Sequence, residues 1–164
     1  MMLPETYLEY FESPIGLIEI GGTSEAVTSL NFVEEHRYGL DTNAIVKEAA
    51  RQISEYFQGT RRDFNMPIHF QGTDFQESVW YELLKVPFGR TASYQSIARA
   101  IGRPRAMRPV GAANGKNPVA IIVPCHRIIG SDSSLTGYGG GLWRKEWLLR
   151  HEGVLFDRGK VTEA

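Results

Sequence analysis

Only one cysteine, Cys125, occurs in the 164 residues, which excludes an internal disulfide. The four histidines, His36, His69, His126 and His151, are scattered and show no zinc-ligand spacing, so no metal site is expected. No apolar run approaches the length needed to cross a bilayer. The opening residues, Met1 to Thr6, supply neither the basic segment nor the apolar core of a signal peptide. These absences point to a soluble, cytoplasmic globular protein. With 42% hydrophobic residues the chain can bury a sizeable core, in one domain or in two small ones.

A strong net charge is also missing, but the value of −1 is an average over two opposite halves. Residues 1–84 hold 5 Lys+Arg against 14 Asp+Glu, whereas residues 85–150 hold 11 against 2. Phosphate neutralisation by Lys and Arg is the main sequence-independent source of DNA affinity. The second half is therefore the candidate DNA-binding face.

In the acidic half, Thr6 to Phe11, Gly16 to Gly21 and Ala26 to Phe32 are short runs rich in aliphatic, aromatic and β-branched residues. Ser13-Pro14 and Gly21-Gly22 separate them, so they read as an antiparallel meander. Ala49, Ile53, Tyr56 and Phe57 then form a helical stripe between about Asn43 and Gln58, which Gly59 can end. A further strand is expected near Phe64 to Phe70. Glu34, Glu35 and His36 read as a charged turn at a strand end.

In the basic half, Thr73 with Gln76 offers a capping box to a helix carrying Phe75, Val79 and Leu83. Ser93 can cap a second helix with Tyr94, Ile97, Ala98 and Ile101 on one face, closed by Gly102. A third helix is expected after Pro104, starting near Arg105 or later because Pro109 is tolerated only in a first turn. The last two helices read as a helix-turn-helix or, equally on this pattern, an ordinary αα-hairpin, and the local positive charge favours the DNA-binding reading. The second of the two mixes Arg105 and Arg108 with small residues, among them Ala106 and Gly111. Few long polar side chains project from it, which suits scanning better than sequence readout.

Ala120-Ile121-Ile122-Val123 is an uninterrupted apolar run that reads as a buried strand, halted by Pro124. Cys125 follows, and His126 and Arg127 come next. A lone cysteine is most often an inert core residue. A base and a positive charge beside it are what would turn it into a nucleophile.

Pro124-Cys125-His126-Arg127 resembles the active-site signature of the O6-alkylguanine-DNA alkyltransferases, the methylated-DNA–protein-cysteine methyltransferases. The resemblance runs from about Asp74 to Gly153. It includes Ser93-Tyr94-Gln95, Arg108-Pro109-Val110-Gly111, Asn114-Gly115-Lys116-Asn117-Pro118, Gly137-Tyr138-Gly139-Gly140-Gly141 and Lys145 to Gly153. It implies an α/β (α+β) fold: an RNase H-like scaffold over residues 1–72, then a mostly helical, winged-helix-like domain with a helix-turn-helix over 73–164.

The same resemblance implies stoichiometric direct-reversal repair. Alkyl passes irreversibly from O6 of a flipped guanine to Cys125, with O4 of thymine a second candidate position and no cofactor. In that reading His126 deprotonates the thiol through a water, Glu152 orients His126, and Asn117 ties the turn together. Tyr94 contacts both the 3′ phosphate and the base, and Arg108 fills the gap left by the base. The DNA-facing set is completed by Arg105, Ala106, Gly111, Asn114, Lys116 and Arg127. Ile128, Tyr138, Gly139 and Gly140 line the base pocket, and Gly139 stands where many relatives have serine. The expected partner is double-stranded DNA carrying O6-alkylguanine, met by a monomer that binds singly or cooperatively. Three other readings stand beside this one. A lesion-binding alkyltransferase-like protein lacks the acceptor cysteine, a transcription regulator needs a better furnished recognition helix, and a cysteine hydrolase needs an oxyanion motif.

Overall fold

The computed structural model describes residues 6–162, and the chain divides into two compact units after Phe70. In the first, β1 (Tyr7–Ser13), β2 (Gly16–Gly22) and β3 (Val27–Val33) form the antiparallel sheet β1-β2-β3. The β1–β2 turn is held by Ser13, whose hydroxyl donates to the Gly16 carbonyl at 2.7 Å and accepts from the Ile15 amide at 3.1 Å. Helix α1 (Ala44–Gln58) covers this sheet. It is capped by the Asn43 side chain at one end and by Gly59 at φ 82° at the other, a left-handed conformation that glycine adopts without a steric penalty. Leu8, Ile18, Ile20, Val27 and Leu30 meet Val46, Ala49, Ile53 and Tyr56 in the core.

The strand expected near Phe64 to Phe70 does not form. Only a parallel bridge between Val27 and Ile68 is made, through Val27 N–H to Pro67 O and His69 N–H to Val27 O, both near 3 Å. Pro67 has no amide to extend the ladder. Glu34 and Glu35 occupy the bend after β3, and His36 stacks on Tyr10.

The second unit is mostly helical and winged-helix-like: α2 (Asp74–Leu83), α3 (Tyr94–Ala100), α4 (Met107–Gly115) and α5 (Leu142–His151). Two-residue strands β4 (Ala92–Ser93) and β5 (Ile128–Ile129) pair in parallel, and β6 (Phe156–Asp157) pairs with β7 (Lys160–Val161). Thr73 and Ser93 both complete capping boxes, the second with Ser96 as its reciprocal partner. α2 packs on α4, where the Trp80 indole donates to the Ala113 carbonyl at 2.9 Å, and α3 packs on α4 as a helix-turn-helix. Pro109 is the third residue of α4, where its missing amide would have had no intrahelical partner.

The apolar run before Cys125 is not a strand. Val119 to Val123 folds into successive tight turns, with Ile122 N–H to Ala120 O at 2.8 Å, Val123 N–H to Val119 O at 3.0 Å, and Ile121 at φ 69°. A β-branched residue there costs on the order of 1–3 kcal/mol, and such strain persists only where the surroundings enforce it. Every residue from Ile121 to Ile129 is buried. A buried turn and a buried strand demand the same apolar side chains.

Candidate active site

Cys125, His126 and Arg127 form one turn of 3-10 helix, so the thiol and the imidazole are set round a bend instead of on opposite faces of a strand. Asn117 staples the preceding turns from the other side. Its amide donates to Val123 O at 2.8 Å and its carbonyl accepts from Val119 N–H at 2.9 Å. Asn114, which is buried, donates to the Cys125 carbonyl at 3.4 Å. That carbonyl also accepts the Ile128 amide.

Glu152, just past α5, gathers the positive groups. Its Oε2 lies 2.7 Å from His126 Nε2, and Arg127 grips it with Nε to Oε1 at 2.8 Å and Nη2 to Oε2 at 3.1 Å. Glu152 Oε1 also accepts the Gly89 amide at 3.2 Å. Burial alone would raise its carboxyl, but His126 and Arg127 override this and hold it well below the usual carboxylate range. Burial lowers His126, outweighing the attraction of a carboxylate that Arg127 already neutralises. A neutral imidazole facing an ionised acceptor carries its proton on Nε2, as the hydrogen-bond network requires. Nδ1 is left as the basic atom, buried and with no partner among the described residues.

The thiol is 5% exposed, and burial raises its pKa while a side-chain hydrogen bond from Asn117 works the other way. A buried thiol next in sequence to a neutral imidazole with one open nitrogen, itself held by a carboxylate, is the set of groups that nucleophile–base–orienter chemistry uses.

Arg127, expected among the DNA contacts, is buried in this structure. It is 6% exposed, spent on Glu152, donates to Val86 O at 2.7 Å, and lies over the Phe88 ring. Asn114, from the same expected set, is buried as well. Arg105, Arg108 and Lys116 are exposed, Ala106 and Gly111 half-buried. Arg108 is the second residue of α4, and among the described residues no hydrogen bond or ion pair holds it. Arg103, Pro104, Arg105, Ala106 and Pro109 line an open groove of about 460 Å³ at the turn into α4.

Tyr94 opens α3 opposite Gly111. A β-carbon on Gly111 would lie 3.8 Å from the Tyr94 ring, an ordinary van der Waals contact. The Tyr94 hydroxyl donates to Thr136 O at 3.1 Å, and Gly137 lies beside it. Tyr138 turns its hydroxyl inward, buried and with no partner among the described residues, and its pKa is raised well above the usual value by burial and then by the nearby thiol. Gly139 is exposed, and a β-carbon there would lie 3.9 Å from Gly115 O. Gly140 O accepts from the Arg144 guanidinium at 2.9 Å. Ile128 is fully buried beside the turn.

Lys145 was not legible as a site residue. It has no exposed surface, donates to Thr136 O at 2.6 Å, and burial lowers its pKa to about 8, partly offset by the Cys125 sulfur. Its signal was positional: Lys145, Leu148, Leu149 and Glu152 fall at i, i+3, i+4 and i+7, the buried face of α5.

Two family descriptions match the two units in order. Residues 6–70 match "6-O-methylguanine DNA methyltransferase, ribonuclease-like domain" and residues 74–154 match "6-O-methylguanine DNA methyltransferase, DNA binding domain". The chain is 45% identical over 152 residues to a methylated-DNA–protein-cysteine methyltransferase of Methanosarcina barkeri, covering 89% of this chain and 96% of the relative. It superposes on the crystal structure of Mycobacterium tuberculosis OGT in complex with DNA with a TM-score of 0.82 and 44% identity, over 89% and 92% of the two chains. Schizosaccharomyces pombe Atl1, solved with DNA containing O6-carboxymethylguanine, is more distant: TM-score 0.50 and 27% identity over 57% of this chain.

Proposed function

The chain belongs to the 6-O-methylguanine DNA methyltransferase family, and on that premise we propose that it repairs alkylated DNA by moving an alkyl group from guanine O6 to Cys125. The observation that supports this reading is the buried Cys125 thiol adjoining His126, whose Nε2 is held by the Glu152 carboxylate that Arg127 shares and whose Nδ1 has no partner among the described residues.

The acceptor step follows from those groups. The Sγ proton passes to His126 Nδ1 through a water, and Glu152 stabilises the imidazolium that results. The thiolate attacks the alkyl carbon in line, so that the Sγ–C bond forms as the O6–C bond breaks. The electron pair stays on O6, and the guanine takes up a proton to restore the ordinary base. The product on the protein is a thioether, a poor leaving group, so each molecule reacts once.

The target carbon lies inside the base stack, so the nucleotide must be extruded into the pocket. Arg108, exposed at the start of α4, occupies the gap, with Arg105 and Lys116 on flanking phosphates and Ala106 and Gly111 allowing close approach. Tyr94 meets the 3′ phosphate and the base, and Tyr138 with the Gly139–Gly140 backbone covers the base. Residues 1–72 act as scaffold and 73–164 as the DNA-binding and acceptor domain. The protein works as a monomer in the cytoplasm on duplex DNA; no helix among the described residues is long and apolar enough to cross a membrane. The non-reactive lesion binder is disfavoured by the presence of Cys125 and by the partial match to Atl1.

Loss of O6-methylguanine from a defined duplex, followed against protein added, tests the proposal. Repair should stop at one lesion per chain and be absent from Cys125→Ser. Continued turnover, or repair by that variant, would refute it.

A further inference from the structure

Lys145 is a fully buried cation with no carboxylate beside it among the described residues. Glu152 is taken by His126 and Arg127, and Glu146 pairs with Arg150. The Lys145 ammonium instead donates to two loop carbonyls, Thr136 O at 2.6 Å and Gly137 O at 3.4 Å, and lies 5.9 Å from the Tyr94 ring centroid. The other ionisable groups that feel it are the Cys125 thiol and the His126 imidazole. A buried ammonium without a counter-ion is costly, and hydrophobic residues of similar volume would pack as well.

Thr136 O has two donors, the Tyr94 hydroxyl at 3.1 Å and Lys145. A phenol has one proton. While Tyr94 donates to Thr136 it cannot donate to a substrate, and when it turns away it gives up that carbonyl. The loop that follows, Gly137 to Gly141, has three consecutive glycines and little stiffness of its own, so its position depends on such anchors.

We propose that Lys145 is a positioning residue of the transfer step: its ammonium keeps the Thr136 and Gly137 carbonyls in place when the Tyr94 hydroxyl turns to the extruded base. The inference rests on the base-flipping reading above. Tyr94 is parked on the loop in the free protein and handed to the nucleotide on binding, while Lys145 holds the loop closed over the pocket throughout. A carbonyl with two lone pairs and two donors is what such an exchange requires.

Single-turnover transfer from a duplex carrying one O6-methylguanine tests this in the wild type, Lys145→Met, Lys145→Arg, Tyr94→Phe and the Lys145→Met/Tyr94→Phe double variant. The rate at saturating duplex and the half-saturating concentration are read separately. Lys145→Met should lower the saturating rate by about 100-fold, the scale of a misplaced reacting group, with half-saturation changed by no more than about threefold. Lys145→Arg, which keeps the charge and the donors, should recover most of the rate. In the Tyr94→Phe background, where no hydroxyl is exchanged, Lys145→Met should cost less than about tenfold. A wild-type rate for Lys145→Met, an equal loss in both backgrounds, or an effect on half-saturation alone would overturn the inference. If Lys145→Met does not fold, Lys145→Gln, neutral and shorter, takes its place with the same expectations. Absence of transfer by the wild type would refute the methyltransferase reading itself, whereas a transferring wild type with an indifferent Lys145 refutes only this step.

Discussion

His126 Nε2 lies 2.7 Å from Glu152 Oε2, and neither side chain has any exposed surface. The contact fixes which ring nitrogen carries the proton and leaves Nδ1 as the unprotonated one. Arg127 shares the same carboxylate, so one residue orients the imidazole and neutralises a buried cation at once.

Glu152→Gln should therefore be damaging in two ways. Transfer should slow by about 100-fold, as a base loses its orienting charge. Stability should fall by about 3 kcal/mol, because Arg127 is left buried with half its partner. Single-turnover kinetics and urea unfolding read the two effects separately, and an unchanged transfer rate would remove Glu152 from the chain of proton transfer.

Arg127 and Arg108 should behave oppositely. Arg127→Ala should destabilise the fold by about 3 kcal/mol and leave the salt dependence of DNA binding unchanged, since this guanidinium is buried on Glu152 and Val86 O. Arg108→Ala should leave the melting temperature unaltered and weaken repair of duplex lesions more than reaction with free O6-benzylguanine. Equal losses on the two substrates would sink the gap-filling role of Arg108.

Stability should depend on pH through His126. Its pKa is lowered by burial, so below the ordinary value of 6.5 the unfolded chain binds a proton that the native chain refuses. The contribution is present above pH 6.5 and is lost as the solution is acidified. Glu152, also lowered, adds a second loss below its ordinary value of 4.5. Chemical denaturation from pH 8 to 5 should show falling stability in the wild type and a flatter profile in His126→Gln.

Lys145 gives a second window of the same sign on the alkaline side. Its native value of about 8 lies below the ordinary 10.5, so between these limits the unfolded chain binds more protons and stability rises with pH. Relative to Lys145→Met, the wild type should gain on the order of 3 kcal/mol on passing from pH 7 to 10.5. A pH-independent difference between the two proteins would mean that Lys145 is not buried as a cation.

Local chemistry made much of the fold legible. Asn43, Thr73 and Ser93 announce helix starts by side-chain oxygens that satisfy free amides, and Gly59 announces an end by its left-handed backbone. The β1–β3 meander was readable from its turn residues. Illegible features depended on distant partners. The Val119–Val123 turns share their apolar residues with a strand, and what bends them is Asn117, a side chain that lies outside the run. Arg127 reads as a surface charge until Glu152, 25 residues on, and Val86, 41 residues back, are brought to it. Lys145 was hidden for the same reason, since lysine is ordinarily solvated and its partners are backbone carbonyls that any sequence could supply.

Intact mass after incubation with a duplex containing one O6-methylguanine tests the central claim most directly. The account predicts a gain of one methyl group in place of one hydrogen, saturating at one per chain and mapping to the peptide that contains Cys125. An unmodified chain that still binds the lesion tightly, or a methyl group on any other residue, would contradict it.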